Sequence, residues 1–156
     1  MLFQAWVSSG NSAVFATIKD PNNNIAIEMH QYLNSDGSGA TSECVSSTAG
    51  ADRLQVATQW LKDNNLKGFL GELGAGNDGM YYFLVPLLLS VIVVSSDTCI
   101  AAIKSALCHM QTSGGVWLGA LWWAAGPWWG TYWMSIEPPS GGAVARVLPE
   151  AWQAFL

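Results

Sequence analysis

The stretch Gly68-Phe69-Leu70-Gly71-Glu72-Leu73-Gly74-Ala75-Gly76-Asn77 decides the fold. A short apolar run carries one carboxylate, Glu72, to its end and then breaks into glycines. Strands buried on both faces read as continuous apolar runs. In barrels of parallel strands the active site lies at the C-terminal ends of such strands. The stretch therefore reads as a buried strand delivering an acidic side chain to a loop-edged site. Taken alone, a Glu in this position is more often a surface or capping residue, and its neighbours have to decide.

On the N-terminal side, residues 52–63 form an amphipathic helix. Leu54, Ala57 and Leu61 share one stripe, with Val56 and Trp60 beside it, and Asn64-Asn65 stops it. Before that helix, residues 33–50 are rich in Asn, Ser, Asp and Gly. They predict a long loop of the kind usually kept for function. Residues 25–30 predict a strand in which Glu28 and His30 share a face, because side chains alternate with period two. Residues 12–18 predict a short helix that ends before Asp20-Pro21. On the C-terminal side, residues 99–111 predict a helix with Ile100, Ile103, Leu107 and Met110 inward, ended by Ser113-Gly114-Gly115. Residues 116–123 predict a third buried strand. A helix over residues 143–148, broken by Pro149, closes the chain. Strands alternating with helices in this way predict a parallel sheet and an α/β fold.

Composition narrows the function. The 156 residues correspond to one domain or part of one. Only 11% are charged, against roughly 25% in an average chain. The net charge is −5 with six Lys+Arg, which argues against a nucleic-acid partner, since phosphate binding needs a basic footprint. Nine tryptophans exceed what core packing needs in so small a chain, and flat apolar rings also serve as sugar-stacking platforms. Cys44, Cys99 and Cys108 include no Cys-x-x-Cys pair, and His30 and His109 lie far apart, so neither zinc nor another cofactor is expected. The N-terminus has no positive or apolar leader region, so no signal peptide is expected. The chain is then cytosolic, or its start is missing.

One segment does not fit the repeat. Residues 79–94 are apolar throughout, contain Pro86, and fall short of the ~20 residues a membrane-spanning helix needs, so no span is expected. A buried helix or strand is one reading. The other is a translated intron over about residues 79–98, because Gly79-Met80-Tyr81 can be encoded across a GTATGT splice donor.

Three stretches, in order and spacing, resemble the C-terminal part of fungal family 5 glycoside hydrolases of the endo-β-1,4-glucanase (cellulase) type. The first runs from Asp20-Pro21-Asn22-Asn23-Asn24 through Glu28-Met29-His30-Gln31-Tyr32-Leu33-Asn34-Ser35-Asp36-Gly37 to Ser38-Gly39. The second is Gly71-Glu72-Leu73-Gly74-Ala75-Gly76-Asn77, with Leu73 where the family has Thr, and the third is Gly119-Ala120-Leu121-Trp122-Trp123-Ala124-Ala125-Gly126. The resemblance implies an α/β fold that is an incomplete (β/α)8 TIM barrel, with about strands six to eight and their helices in residues 1–156. It implies a retaining glycosidase, extracellular in its relatives, acting on the β-1,4-glucan cellulose. It puts Glu72 on the nucleophile. His30 and Tyr32 fall on a hydrogen-bonded pair in the cleft, Trp123 on the platform under the cleaved sugar, and Trp128 on a loop that stacks a neighbouring sugar. Read without these neighbours, His30 is a satisfied buried histidine and Trp123 a core residue. Trp60 and Trp117 remain packing residues. The resemblance also implies a Cys44–Cys99 disulfide and an unpaired Cys108.

The departures matter equally. Retaining hydrolysis uses two carboxyl groups ~5 Å apart. In the family the acid/base is the Glu of an Asn-Glu-Pro-type motif, and no such motif occurs in this sequence. Glu28 shares the face of His30 but is expected deeper in the barrel. Asp36 and Glu43 are expected to be solvated loop residues. Two expectations follow: a glucanase site short of its acid, or a half-barrel that at most binds glucan through its tryptophans. The open barrel edge leaves room for self-association.

Overall fold

The computed structural model describes residues 6, 9–76, 96–129, 132–137 and 146–156. Three strands among these form one parallel sheet in the order β1 (Ala26–Tyr32), β2 (Lys67–Gly74), β3 (Trp117–Trp122). Helix α1 (Asn11–Phe15) precedes β1, α2 (Ala49–Asp63) connects β1 to β2, and α3 (Ser96–Thr112) precedes β3. The expected strand–helix alternation is present with the expected strand direction. The two long helices pack on one face of the sheet and leave the other face open.

The core lies between the sheet and the two long helices. Leu54, Ala57 and Leu61 of α2 are buried against Ile100, Ile103, Leu107 and Met110 of α3 and against Leu70 and Leu73 of β2. Val56, on the edge of that stripe, is exposed. Gly50 lets α2 and α3 approach closely, since a Cβ there would collide with the Ala102 carbonyl and the Ala106 methyl. Gly68 similarly leaves room for Leu61 and the Trp117 ring. Trp6 packs edge-on to Trp60 and beside Phe15, and Trp60 donates its indole N–H to the Ser12 carbonyl at 3.0 Å. Trp60 and Trp117 are thus packing residues, as expected.

Most elements differ from their expected limits by a few residues: α2 begins at Ala49 rather than residue 52, β1 ends at Tyr32 rather than residue 30, and three others also differ. α1 is shorter than residues 12–18. α3 starts at Ser96, so the last three residues of the apolar stretch 79–98 are helical, and the remainder falls within residues 77–95, outside those described. The expected closing helix over residues 143–148 lies partly outside the described residues. Residues 143–145 lie outside those described, and the helical turns run over Leu148–Trp152 and Gln153–Phe155 with Pro149 inside the first turn. Proline is tolerated there because the first turn's N–H groups have no intrahelical acceptor. Pro149 therefore lies within a helical turn where it was expected to break one. Trp152 of this turn packs edge-on against Trp122 of β3, with ring centroids 6.0 Å apart.

A polar chain crosses the helix layer. Trp117 donates its indole N–H to the Thr58 hydroxyl at 2.8 Å, and that hydroxyl lies 2.9 Å from His109 Nε2. A hydroxyl has one hydrogen. It also has two lone pairs, so it can accept from Trp117 and either donate to or accept from His109. Burial, helped by the Lys62 charge, holds the His109 pKa below its ordinary value. The unfolded chain then binds more protons than the folded chain as pH falls below ~6.5. Stability is expected to be full above that pH and to fall as pH drops through the folded-state pKa. Urea midpoints measured between pH 7.5 and 5 should show this decline, and His109→Gln should flatten it.

Candidate active site

Glu72 reaches the open face of the sheet because β2 bulges. Met29 pairs with Leu70 and His30 pairs with Glu72, so Gly71 is an extra residue opposite β1. Counted strictly by twos from Leu70, Glu72 would join Leu70 in the helix layer. The bulge resets the phase: Leu73 becomes buried and Glu72 turns to the other face, its side chain 20% exposed. Bulges re-aim side chains in this way and are frequent next to active sites.

β1 delivers the partners of Glu72. Ile27, Met29 and Gln31 are buried under the helices, which leaves Glu28, His30 and Tyr32 on the open face. His30 Nδ1 lies 3.1 Å from Glu72 Oε2, and the Tyr32 hydroxyl donates a short hydrogen bond to the same oxygen. His30 Nε2 lies 2.9 Å from Glu28 Oε1. Burial first, and then the hydrogen bond to Glu72 and its negative charge, push the Tyr32 phenol far above its ordinary value. Tyr32 therefore remains a neutral hydroxyl donor across the working pH range. Glu28, two residues before His30 along β1, is 56% exposed on the open face of the sheet.

The loop after β1 holds Tyr32 in place. Arg53 of α2 donates to the Tyr32 and Asn34 carbonyls at 2.5 and 2.7 Å, tying the end of β1 to the helix layer. Asn34 bonds Asp36, Ser38 and Thr41 through Nδ2 and accepts the Gly39 N–H. Gly39 has φ +72°, and a Cβ there would strike the Tyr32 ring, so only glycine fits the backbone and the contact together. The Ser38 hydroxyl and N–H hold the Asp36 carboxyl below its usual range. Further along, the Cys44–Cys99 disulfide joins this loop to α3, and Ser42 accepts the Gly76 N–H from the loop after β2. Cys108 is unpaired and exposed.

The loop after β3 supplies an aromatic wall. Trp123 N–H donates to Leu73 carbonyl at 3.0 Å, which continues the β2–β3 pairing past the strand end. The Trp122 ring packs on Trp152 toward the helices, and Trp123 faces Trp129 edge-on at 4.9 Å between centroids. The stack continues through Tyr132 to Trp133. Burial raises the Tyr132 pKa, a hydrogen bond with Trp123 lowers it, and the charge of Glu72 raises it again, so this wall lies within electrostatic reach of the carboxylate. Glu137 accepts the Gly126 N–H at 3.0 Å and pins the turn that carries Trp128, which is 94% exposed.

His30, Tyr32 and Glu72 lie toward the C-terminal ends of β1 and β2, and the aromatic wall follows the C-terminal end of β3. A family model, Cellulase (glycosyl hydrolase family 5), matches residues 3–126. The chain belongs to glycosyl hydrolase family 5. It is 42% identical over 152 residues to a probable endo-beta-1,4-glucanase B of Aspergillus oryzae, covering 97% of this chain and 40% of the relative. It is 44% identical over 144 residues to endo-beta-1,4-glucanase B of Emericella nidulans, covering 92% of this chain and 38% of the relative. Among solved structures it resembles an endo-beta-1,4-glucanase of Xanthomonas axonopodis pv. citri with TM-score 0.71 at 36% identity, covering 94% of this chain and 42% of that one. The chain thus spans about two fifths of the length of these relatives. Family 5 membership implies the (β/α)8 barrel, and the three-stranded parallel sheet described here fits a part of it.

Of the residues expected in this family 5 site, the structure brings His30, Tyr32 and Glu72 into direct contact. It sets Trp123 on the adjoining wall and leaves Trp128 in solvent at the loop's tip. Sequence reasoning missed the Glu28–His30 contact, Trp129, Tyr132 and Glu137. The shared face of Glu28 and His30 signalled the first. The aromatic density of residues 127–133 is the one available signal for the wall, since no periodicity marks a loop.

Proposed function

We propose that this chain carries the nucleophile side of a retaining β-1,4-glucan endohydrolase site, with β1, β2 and β3 as strands six, seven and eight of the barrel. The observation that carries the reading is the Glu72 carboxylate, held at a strand's C-terminal end by both His30 Nδ1 and the Tyr32 hydroxyl. The relatives named endo-beta-1,4-glucanase support it, as does the solved complex of XacCel5A with cellopentaose, 34% identical to this chain. In this reading Glu72 attacks the anomeric carbon and the glycosidic C–O bond breaks. The resulting glycosyl-enzyme is then hydrolysed by water. The Tyr32 hydrogen bond to Oε2, with His30 Nδ1 close beside the same oxygen, orients the carboxylate before attack. Trp123 lies under the sugar at the cleavage point, and Trp128 stacks a neighbouring unit. Secretion is part of the proposal, because a disulfide persists in an oxidising compartment.

The general acid is a separate matter. Glu28 is not a substitute, because the His30 ring stands between it and Glu72. Two carboxyl groups separated by an imidazole cannot act ~5 Å apart on one glycosidic bond. With no Asn-Glu-Pro motif in the sequence, leaving-group protonation by this chain is absent from the proposal. A general acid contributes ~10²–10⁴-fold. An activated aryl cellobioside, whose leaving group needs no proton, is therefore expected to turn over at least ~10²-fold faster than carboxymethylcellulose. Equal rates on the two would place a working acid within the chain. Release from neither, with retention on cellulose, would favour the second reading, glucan binding through exposed rings such as Trp128.

A further inference from the structure

We propose that Glu137 is a positioning residue for glucan recognition: it clasps the loop after β3 and so holds Trp129 against Trp123. The loop leaves the sheet at Ala124, which donates its N–H to the Met134 carbonyl at 3.2 Å and accepts the Ile136 N–H at 3.1 Å. Beyond this base, turn bonds follow one another along the loop. Trp129 N–H donates to the Gly126 carbonyl at 3.3 Å, Tyr132 N–H to the Trp129 carbonyl at 2.9 Å, and Ser135 N–H to the Tyr132 carbonyl at 2.9 Å. Glu137 touches both ends of this run. Its Oε2 accepts the Gly126 N–H at 3.0 Å, and its own N–H donates to the Ser135 hydroxyl at 3.3 Å.

The run carries the aromatic wall. The Trp129 ring lies 4.9 Å from that of Trp123 and 5.2 Å from that of Tyr132, between centroids. Its indole also rests on Gly126, where an added Cβ would sit 3.7 Å from Trp129 Cδ1. Gly126 has φ +133°, a conformation that L side chains rarely adopt. The start of the run therefore has no side chain of its own to anchor it, and Glu137, eleven residues further on, supplies the anchor. Cutting that bond frees Gly126 and with it Trp129, while the Ala124 bonds keep the base of the loop closed. Rings that are ordered before a sugar arrives bind it at a lower entropic cost than rings the sugar must order. Glu72, His30 and Tyr32 sit on β1 and β2, outside the clasp. The sugar-binding part of the proposal rests on the glucanase reading given above, whereas the clasp stands on its own geometry.

The test compares the full chain as wild type, Glu137→Ala and Glu137→Gln. The Gln amide oxygen can accept the Gly126 N–H as the carboxylate does, and Ala cannot. By titration calorimetry the Kd for cellopentaose is expected to rise ~10-fold in Glu137→Ala and to stay within about twofold of the wild type in Glu137→Gln. Circular dichroism reads the wall directly, because indoles this close couple and give paired bands. Glu137→Ala is expected to lose the paired bands that Trp129→Phe also loses, and Glu137→Gln to keep them. Equal affinity in all three proteins, or an equal loss in both variants, overturns the proposal. So does a wild type that binds no cellopentaose. In the wild type the Gly126 amide is expected to exchange with solvent far more slowly than in an unfolded chain. Exchange at the unfolded rate overturns the clasp even if Glu137→Ala fails to fold. Turnover of an activated aryl cellobioside by Glu72→Gln separates this idea from the nucleophile. Surviving turnover, with affinity lost in Glu137→Ala and restored in Glu137→Gln, sinks the nucleophile and not the clasp. Lost turnover with unchanged affinity in Glu137→Ala sinks the clasp and not the nucleophile.

Discussion

Glu72→Gln is expected to lower turnover of an activated aryl cellobioside by at least ~10⁴-fold, or ~5.5 kcal/mol of barrier. The substitution is close to isosteric. Its amide oxygen can still accept from the Tyr32 hydroxyl, which holds Oε2 in the wild type, and sits beside His30 as before. Packing should therefore be kept, and the unfolding midpoint should stay near that of the wild type. What disappears is the nucleophile, since an amide does not attack an anomeric carbon. The choice of substrate matters, because a leaving group that needs no proton isolates the attack step from leaving-group protonation. Initial-rate measurements on both proteins check the expectation. A residual rate within tenfold of the wild type would show that the carboxylate of Glu72 is not the attacking group.

Removing the Cys44–Cys99 disulfide is expected to have the largest effect on stability. It closes a sequence separation of 55 residues, with the two Cα atoms 5.3 Å apart. A loop of that length, closed in the unfolded chain, corresponds to ~4 kcal/mol in the chain-entropy model. That is a large fraction of the stability of a single domain, typically ~5–15 kcal/mol. The bridge also connects site and scaffold. The loop it anchors carries Gly39 against the Tyr32 ring and Ser42 against Gly76, and α3, at its other end, forms half of the helix layer. Guanidinium unfolding of the Cys44→Ala, Cys99→Ala double variant should show a midpoint lowered by the equivalent of that energy. Reduction of the wild type should give the same shift.

Legibility of the chain followed the physical source of each signal. The helices over Ala49–Asp63 and Ser96–Thr112 were readable because their apolar stripes recur at helical spacing and face one core. The parallel order was readable because each connection is long enough to hold a helix. Glu72 was readable as a site residue from its neighbours, but its orientation was not. Strict alternation sends it under the helices, and only the bulge at Gly71, set by tertiary pairing with β1, returns it to the open face. Pro149 lies within the Leu148–Trp152 turn rather than ending a helix, because a proline breaks a helix interior but is tolerated in a first turn, and the sequence does not say which position it occupies. The wall of Trp129 and Tyr132 was missed because a loop held by backbone bonds such as Trp129 N–H to the Gly126 carbonyl carries no repeat that a pattern can detect.

The most direct measurement is peptide mapping of the full chain after incubation with a 2-deoxy-2-fluoro-cellobioside bearing an activated leaving group. The fluorine slows hydrolysis of the glycosyl-enzyme, and the leaving group departs without an acid. One cellobiosyl unit is expected on the peptide containing Glu72, in ester linkage, and none in Glu72→Gln. A unit attached to any other carboxylate, or no adduct on a folded chain that releases the leaving group, would contradict the role of Glu72.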